Sequence, residues 1–154
     1  MKLLFHLDAN CINARQNISE LNELESLAIS GLIDIDFSET AYNEALDRSF
    51  NRARKVEEYT WSSLSGEPEF EEHQRIKIEN IVFPHSELTV GQKKDVEIIL
   101  TAWMCDAILI TTDGASKSQP RGILGSKADL EAIGIRVMNP NEALDLAICR
   151  TKRD

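Results

Sequence analysis

The chain has 154 residues, of which 42% are hydrophobic and 28% charged, and its formal net charge at pH 7 is −9. This composition is typical of one globular domain, and no apolar run reaches the roughly 20 residues that would span a bilayer. The acidic balance argues against a protein that holds nucleic acid nonspecifically through a broad basic face. The three cysteines and three histidines are scattered, without the spacing of a zinc site, and in the absence of any address sequence the expected location is the cytoplasm.

The first third of the chain alternates predicted strands and helices. Residues 2–7 are nearly continuous apolar, which predicts a strand buried on both of its faces. Apolar residues at three- and four-residue steps over 18–28 predict a helix that ends at Gly31. A second strand is predicted over 32–37, and Ser38 is the expected cap of the helix that follows it.

The middle of the chain is mainly helical by its pattern. Turn-forming residues over 61–68 predict a corner between two helices, and residues 69–80 are weakly helical. Thr89 and Gln92 fit a capping box, and a clear apolar stripe behind them predicts a helix. Residues 107–111 are the best candidate for a central strand.

The last part of the chain completes the alternation. A polar, glycine-containing loop is predicted over 114–125, a short helix over 127–133, a strand over 135–138, and a final helix capped by Asn139. Because strands and helices alternate, the predicted fold class is α/β. The expected architecture is a three-layer sandwich, with a mostly parallel central sheet and helices on both faces.

Four acidic residues fall where this topology would bring them to one edge of the sheet. Asp8 and Asp113 follow the first strand and the central strand, and Glu44 and Asp95 lie in helices that begin at the same edge. Ligands of an open parallel sheet bind in the crevice outside the carboxyl ends of its strands. Four acids gathered there would repel one another unless cations neutralised them, and oxygen ligands select Mg²⁺ or Mn²⁺ over zinc. The sequence therefore predicts a divalent metal site.

Each of these acids also has an ordinary structural interpretation. Asp8 could cap the helix that follows it, and Glu44 could form an ion pair with Arg48 four residues later. Asp95 lies near a helix start, where a negative charge is favourable, and Asp113 could belong to an Asp-Gly turn. The metal site is favoured over these alternatives because one geometry would gather all four residues.

Several segments together resemble the PIN domain family, and the resemblance extends over almost the whole chain. Their order and separation are more specific than any one of them. The segments are Leu7-Asp8-Ala9-Asn10, Ser38–Glu44, Asp95–Ala102 followed by Leu109–Asp113, and Gly134–Leu144.

The resemblance implies a single nuclease domain over residues 1–154, with a helical excursion around 50–90. It implies a metal-dependent ribonuclease, a hydrolase of RNA phosphodiester bonds that uses Mg²⁺ or Mn²⁺ at the four acids. For chains of this length the family often supplies the toxin of a toxin–antitoxin pair, which implies an antitoxin partner, and it frequently forms homodimers. It also suggests that Asn10 and Thr111 support the acids or bound water.

Basic residues that could hold the RNA backbone are few. The candidates follow Glu44 and Asp113 in the chain; they are Arg48, Arg52, Lys117 and Arg121. With so little basic surface, selectivity is expected to come from RNA shape or single-stranded loops.

The alternative to a nuclease is a catalytically silent PIN-like module that binds a protein or RNA partner, which the acidic balance favours. A haloacid-type phosphatase fits less well, because it would need an acid at the position of Asn10.

Overall fold

The computed structural model of the chain describes residues 2–14, 17–49, 51, 61–62, 68–85, 87–118 and 120–152. In chain order its elements are β1 Leu4–Leu7, α1 Ala9–Ala14, α2 Ser19–Ile29, β2 Asp34–Phe37, α3 Glu39–Arg48, β3 Trp61–Ser62, α4 Pro68–Val82, α5 Val90–Met104, β4 Ile108–Ile110, α6 Gly122–Gly125, α7 Lys127–Ala132, β5 Arg136–Met138 and α8 Pro140–Thr151.

The strands form one sheet in the order β3-β2-β1-β4-β5, and each neighbouring pair is parallel. β1 therefore lies at the centre, with β2 on one side and β4 on the other. Leu7, the last residue of β1, is aligned with Ile110, the last residue of β4. This register brings the chain that leaves β1 and the chain that leaves β4 to the same point of the sheet edge.

Both faces of the sheet are covered by helices, as the alternating sequence predicts. α2 packs against α8, while α1 and α5 both pack against α3, and α5 also packs against α4. Phe5 and Leu7 of β1 and the whole of β4 are buried in the core between these layers. Burial on both faces explains why the central strands are almost entirely apolar, with His6 of β1 as the exception. Among the described helices, none is long and apolar enough to cross a membrane.

Local hydrogen bonds fix where three of the helices begin. The Ser38 hydroxyl accepts the backbone N–H three residues on and starts α3. Thr89 and Gln92 form a reciprocal capping box at the start of α5, and Asn139 and Glu142 form another at the start of α8. These caps confirm the helix starts that the sequence predicts.

Two predicted features are wrong in detail, and one helix was not predicted. Trp61–Ser62 is a short edge strand beside β2 instead of a corner between helices, and two residues are too few to show a strand period. Part of the predicted loop over 114–125 is the single-turn helix Gly122–Gly125. Its two glycines have a low helix propensity, so the sequence pattern indicates a loop there. Ala9–Ala14 is a separate helix before α2. The prediction that residues 1–154 form one domain stays a prediction. Within the predicted helical excursion around 50–90, the structure describes the helix α4.

Candidate carboxylate site at the strand ends

A pocket of about 210 Å³ lies at the carboxyl ends of β1 and β4. It brings together the four acids that the sequence singles out, one cationic side chain, one amide and two small residues. The lining residues are Asp8, Ala9, Asn10, Glu44, Arg48, Gly91, Asp95 and Asp113. The predicted convergence of the acids is therefore observed, whereas their chemical role stays a prediction.

Asp8 is held in one orientation at the end of β1. Its backbone N–H donates to the carbonyl of Ile110 at 3.0 Å, which extends the pairing of β1 with β4 by one residue. Its Oδ1 accepts the N–H of Ala9 at 2.7 Å, and its Oδ2 accepts the hydroxyl of Thr111 at 2.7 Å. The carboxylate thus bonds to the backbone of the first residue of α1 and also lines the pocket.

Thr111 joins the two strand-end acids through hydrogen bonds. Its side chain is fully buried; the hydroxyl donates to Asp8 and accepts the backbone N–H of Asp113 at 3.0 Å. The resemblance to the PIN family suggests that Thr111 supports the acids or bound water, and these two hydrogen bonds connect it to Asp8 and to the backbone of Asp113.

Asp113 is fixed by the segment that follows it. Its Oδ2 accepts the N–H of Ile123 at 3.1 Å, and its carbonyl accepts the N–H of Leu124 at 2.8 Å. Gly114 and Gly122 touch where the chain returns, both with positive φ, and a Cβ at Gly114 would lie 1.9 Å from the carbonyl of Arg121. Only glycine allows this crossing, which carries α6 back to Asp113.

Glu44 and Asn10 are connected through Arg48. The guanidinium donates to Oε1 of Glu44 at 2.7 Å and to Oδ1 of Asn10 at 2.6 Å. The Glu44 side chain is 15% exposed and that of Arg48 is 54% exposed. Glu44 therefore forms the helix ion pair that the sequence allows and lines the pocket as well.

Gathering and burying the acids raises the pKa values of two of them, Asp95 and Asp8. Burial, followed by the charges of Asp8, Asp113 and Glu44, raises the pKa of Asp95 from 3.8 to about 7, against a lowering by Arg48. Burial is also the largest cause that raises the pKa of Asp8 to about 6; Glu44 and Asp113 add to it, and the hydrogen bonds to Thr111 and Ala9 oppose it. A bound cation would relieve both effects.

The donor set suits a hard, hydrated ion. All four candidate ligands are carboxylates, and oxygen ligands are those that Mg²⁺ and Mn²⁺ prefer. Among the described residues, however, no group of three His, Cys, Asp or Glu side chains could hold one ion together. Mg²⁺ keeps several waters and needs only one or two carboxylates, so the residues present fit an ion held largely through water.

The basic residues predicted to hold RNA are not gathered in one place. Arg48 lines the pocket, whereas Lys117 and Arg121 are exposed in the segment after Asp113 and are not among the lining residues. Arg52 lies outside the described residues.

Gly91 also lines the pocket, and the sequence analysis did not single it out. Its one signal is its position one helical turn before Asp95, which puts both residues on the same face of α5.

No family model matches the chain, and no curated protein matches it. Among solved structures, it is similar to a chain in the crystal structure of VapBC2 from Rickettsia felis bound to a DNA fragment from their promoter. The identity is 16%, the TM-score is 0.56, and the match covers 89% of this chain and 98% of that one. At this identity the likeness shows a shared fold, consistent with a PIN-like α/β sandwich.

Proposed function

We propose that the chain is a metal-dependent endoribonuclease that hydrolyses RNA phosphodiester bonds at the pocket between β1, β4, α3 and α5. The observation that carries the proposal is the convergence of four carboxylates in this pocket, with the pKa of Asp8 and of Asp95 raised. Perturbed acids in a cleft are typical of functional sites, and a divalent cation is the simplest partner for them.

Asp8, Glu44, Asp95 and Asp113 would hold the ion, which when bound lowers the pKa of a coordinated water and offsets charge on the phosphate. The chain's own residues orient this site. Thr111 keeps the Asp8 carboxylate turned into the pocket. Arg48 brings a positive charge to the pocket mouth, where it could contact a phosphate of the RNA.

We also propose a toxin of a toxin–antitoxin pair, with an antitoxin protein as partner, a homodimer as its assembly and the cytoplasm as its location. Support comes from the fold shared with a chain of VapBC2 and from the resemblance of the sequence motifs to the PIN family. Co-expression with the product of an adjacent small gene, followed by co-purification and a growth assay, tests this part separately.

Cleavage of a mixed structured RNA tests the nuclease directly. The purified chain is incubated with Mg²⁺, Mn²⁺ or EDTA, beside Asp8→Asn and Asp145→Asn; Asp145 is an exposed residue of α8 and serves as the matched control. The proposal predicts cleavage by the wild type and by Asp145→Asn in metal, and none in EDTA or by Asp8→Asn. Equal cleavage under all conditions would indicate a contaminant.

The second candidate, a catalytically silent module that binds a protein or RNA partner, is favoured by two observations. Arg48 already neutralises Glu44, and no three acids in the described part of the chain are placed to share one ion. Binding of RNA without cleavage in any metal would select this candidate.

A further inference from the structure

A second pocket, of about 460 Å³, lies at the amino-terminal ends of the strands, on the edge of the sheet opposite the carboxylate site. Its walls are the start of β1 with the residues before it, the first residue of β5, the turn between α5 and β4, and the last turn of α8. Among the described residues, the two pockets share none of their lining. The length of β1, roughly 10–13 Å for four residues, separates them.

The charge of this pocket is opposite to that of the whole chain. Three of its lining side chains are cationic, namely Lys2, Arg136 and Arg150, and one, Asp106, is acidic. The chain has a net charge of −9. Like charges around one cavity repel one another, and a bound anion relieves the repulsion. The pocket is therefore suited to an anionic ligand.

The two arginines have donors to spare. Arg136 donates through Nη2 to the carbonyl of Asp106 at 2.9 Å and to its Oδ1 at 3.4 Å. These bonds hold the guanidinium in place and leave its Nε and Nη1 without a partner in the described part of the chain. Arg150 has no hydrogen bond or ion pair with any residue that the structure describes. Planar guanidinium groups bind phosphate through two parallel hydrogen bonds.

Ordinary structural roles account for these cations only in part. A positive charge in the last turn of a helix is favourable, which applies to Arg150 in α8. Lys2 lies 3.9 Å from Asp34, but both side chains are about half exposed, and such a pair contributes little. Neither role explains why the three cations line one cavity.

The remaining wall of the pocket is less polar. It consists of Leu3 and Leu4, both partly buried, and of Cys105 at the end of α5. Sites for small molecules have volumes of roughly 300–1,000 Å³ and combine an apolar wall with a few convergent polar groups. This pocket has both features and exceeds the space that a bare phosphate ion needs.

We propose that this pocket binds a phosphorylated small molecule of nucleotide size. Arg136 and Arg150 hold its phosphate, Lys2 adds positive charge, and the less polar part of the ligand lies against Leu3 and Leu4. The site is independent of the proposed nuclease, because it uses no residue of the carboxylate pocket.

The test is calorimetric titration of the purified full chain in EDTA, with adenosine monophosphate, inorganic phosphate and adenosine as probes. The variants are Arg136→Gln and Arg150→Gln. Lys77→Gln is the matched control, since Lys77 is an exposed residue of α4 that lines neither pocket, and its replacement removes the same charge. Arg150→Gln loses no partner in the described structure, so its Tm should equal that of the wild type and weaker binding would not reflect unfolding.

Adenosine monophosphate should bind to the wild type and to Lys77→Gln at least about tenfold more tightly than inorganic phosphate, and adenosine should not bind. Each arginine variant should weaken the binding of adenosine monophosphate roughly 10- to 150-fold, the factor for one lost charge-assisted hydrogen bond.

Absence of binding to the wild type at millimolar adenosine monophosphate overturns the proposal, as does binding that Arg150→Gln leaves unchanged. Equal affinities for adenosine monophosphate and inorganic phosphate overturn it too, because the apolar wall would then contribute nothing. An RNA oligonucleotide that binds through Arg150, when the mononucleotide does not bind, would make this surface an RNA contact and also overturn the proposal. All of these results leave the proposed nuclease untouched, because no metal or cleavage enters the measurement.

Discussion

Replacing Asp8 by asparagine should stabilise the metal-free protein while it abolishes metal binding. Asp8 is 3% exposed, and its pKa is raised from 3.8 to about 6. At pH 8 the carboxyl is ionised in both the folded and the unfolded chain. The difference of roughly two pH units between the two pKa values corresponds to about 3 kcal/mol by which the charge disfavours folding.

Asparagine removes this charge and keeps an oxygen that can accept the N–H of Ala9. The Thr111 hydroxyl loses a charged acceptor, which offsets part of the gain. The net increase in the free energy of unfolding is therefore expected to be about 1–3 kcal/mol. For a chain of this size, each kcal/mol raises Tm by roughly 2–4 °C.

The pH dependence has a definite sign. Because the pKa of Asp8 is raised in the folded state, its favourable contribution is fully present below pH 3.8 and is lost as the pH rises toward 6. In EDTA the stability advantage of Asp8→Asn should therefore be small near pH 4, grow up to about pH 6, and stay constant above it.

Urea denaturation in EDTA from pH 4 to 8, repeated with Mn²⁺, measures both effects, with Asp145→Asn as the control. Mn²⁺ should raise the unfolding midpoint of the wild type and of the control but not that of Asp8→Asn, so the order of stability reverses when metal is added. If Asp8→Asn is the less stable protein at pH 8 in EDTA, burial and repulsion at Asp8 have been misjudged.

Three further predictions concern neighbouring residues. Arg48→Ala removes the cation beside Glu44, so Mn²⁺ should bind up to about fivefold tighter and RNA more weakly in calorimetry; an unchanged Mn²⁺ affinity would contradict this. Thr111→Val removes the hydroxyl that Asp8 accepts and should lower the free energy of unfolding by about 1–3 kcal/mol in urea, whereas an equal midpoint would show that this bond is dispensable. Burial lowers the pKa of His6 from 6.5 to about 4, and neither of its ring nitrogens has a hydrogen-bond partner in the described structure. The folded chain therefore binds fewer protons at His6, and the contribution of His6 to the free energy of unfolding should fall by about 3 kcal/mol as the pH drops from 6.5 to 4; the difference in stability between His6→Leu and the wild type should grow by this amount, and parallel pH profiles of the two proteins would exclude such a contribution.

The helix starts were predictable because their signals are local. Ser38, Thr89 and Asn139 each satisfy an N–H within three residues, so the sequence contains the whole interaction. The short strand Trp61–Ser62 was not predictable, because its existence depends on β2 beside it and not on its own residues.

In the candidate site too, some features follow from the sequence and others depend on contacts between distant parts of the chain. The placement of Asp8 and Asp113 follows from a general property of parallel sheets, since strand ends meet at one edge. The bridge that Thr111 makes between them depends on the register of β1 with β4, which no local pattern specifies. The one sequence signal of Gly91 is its position one helical turn before Asp95, and a missing side chain becomes informative only once the pocket that it borders is known.

The central claim is that a carboxylate-bound divalent ion cuts RNA in this pocket. The most direct test is to titrate Mn²⁺ into the purified chain and to follow metal binding by electron paramagnetic resonance and RNA cleavage in the same samples. The account predicts that one Mn²⁺ concentration half-saturates both signals, and that Asp8→Asn loses both while Asp145→Asn keeps them. Cleavage that persists in EDTA or in Asp8→Asn, or Mn²⁺ binding that leaves the RNA intact, would contradict the claim.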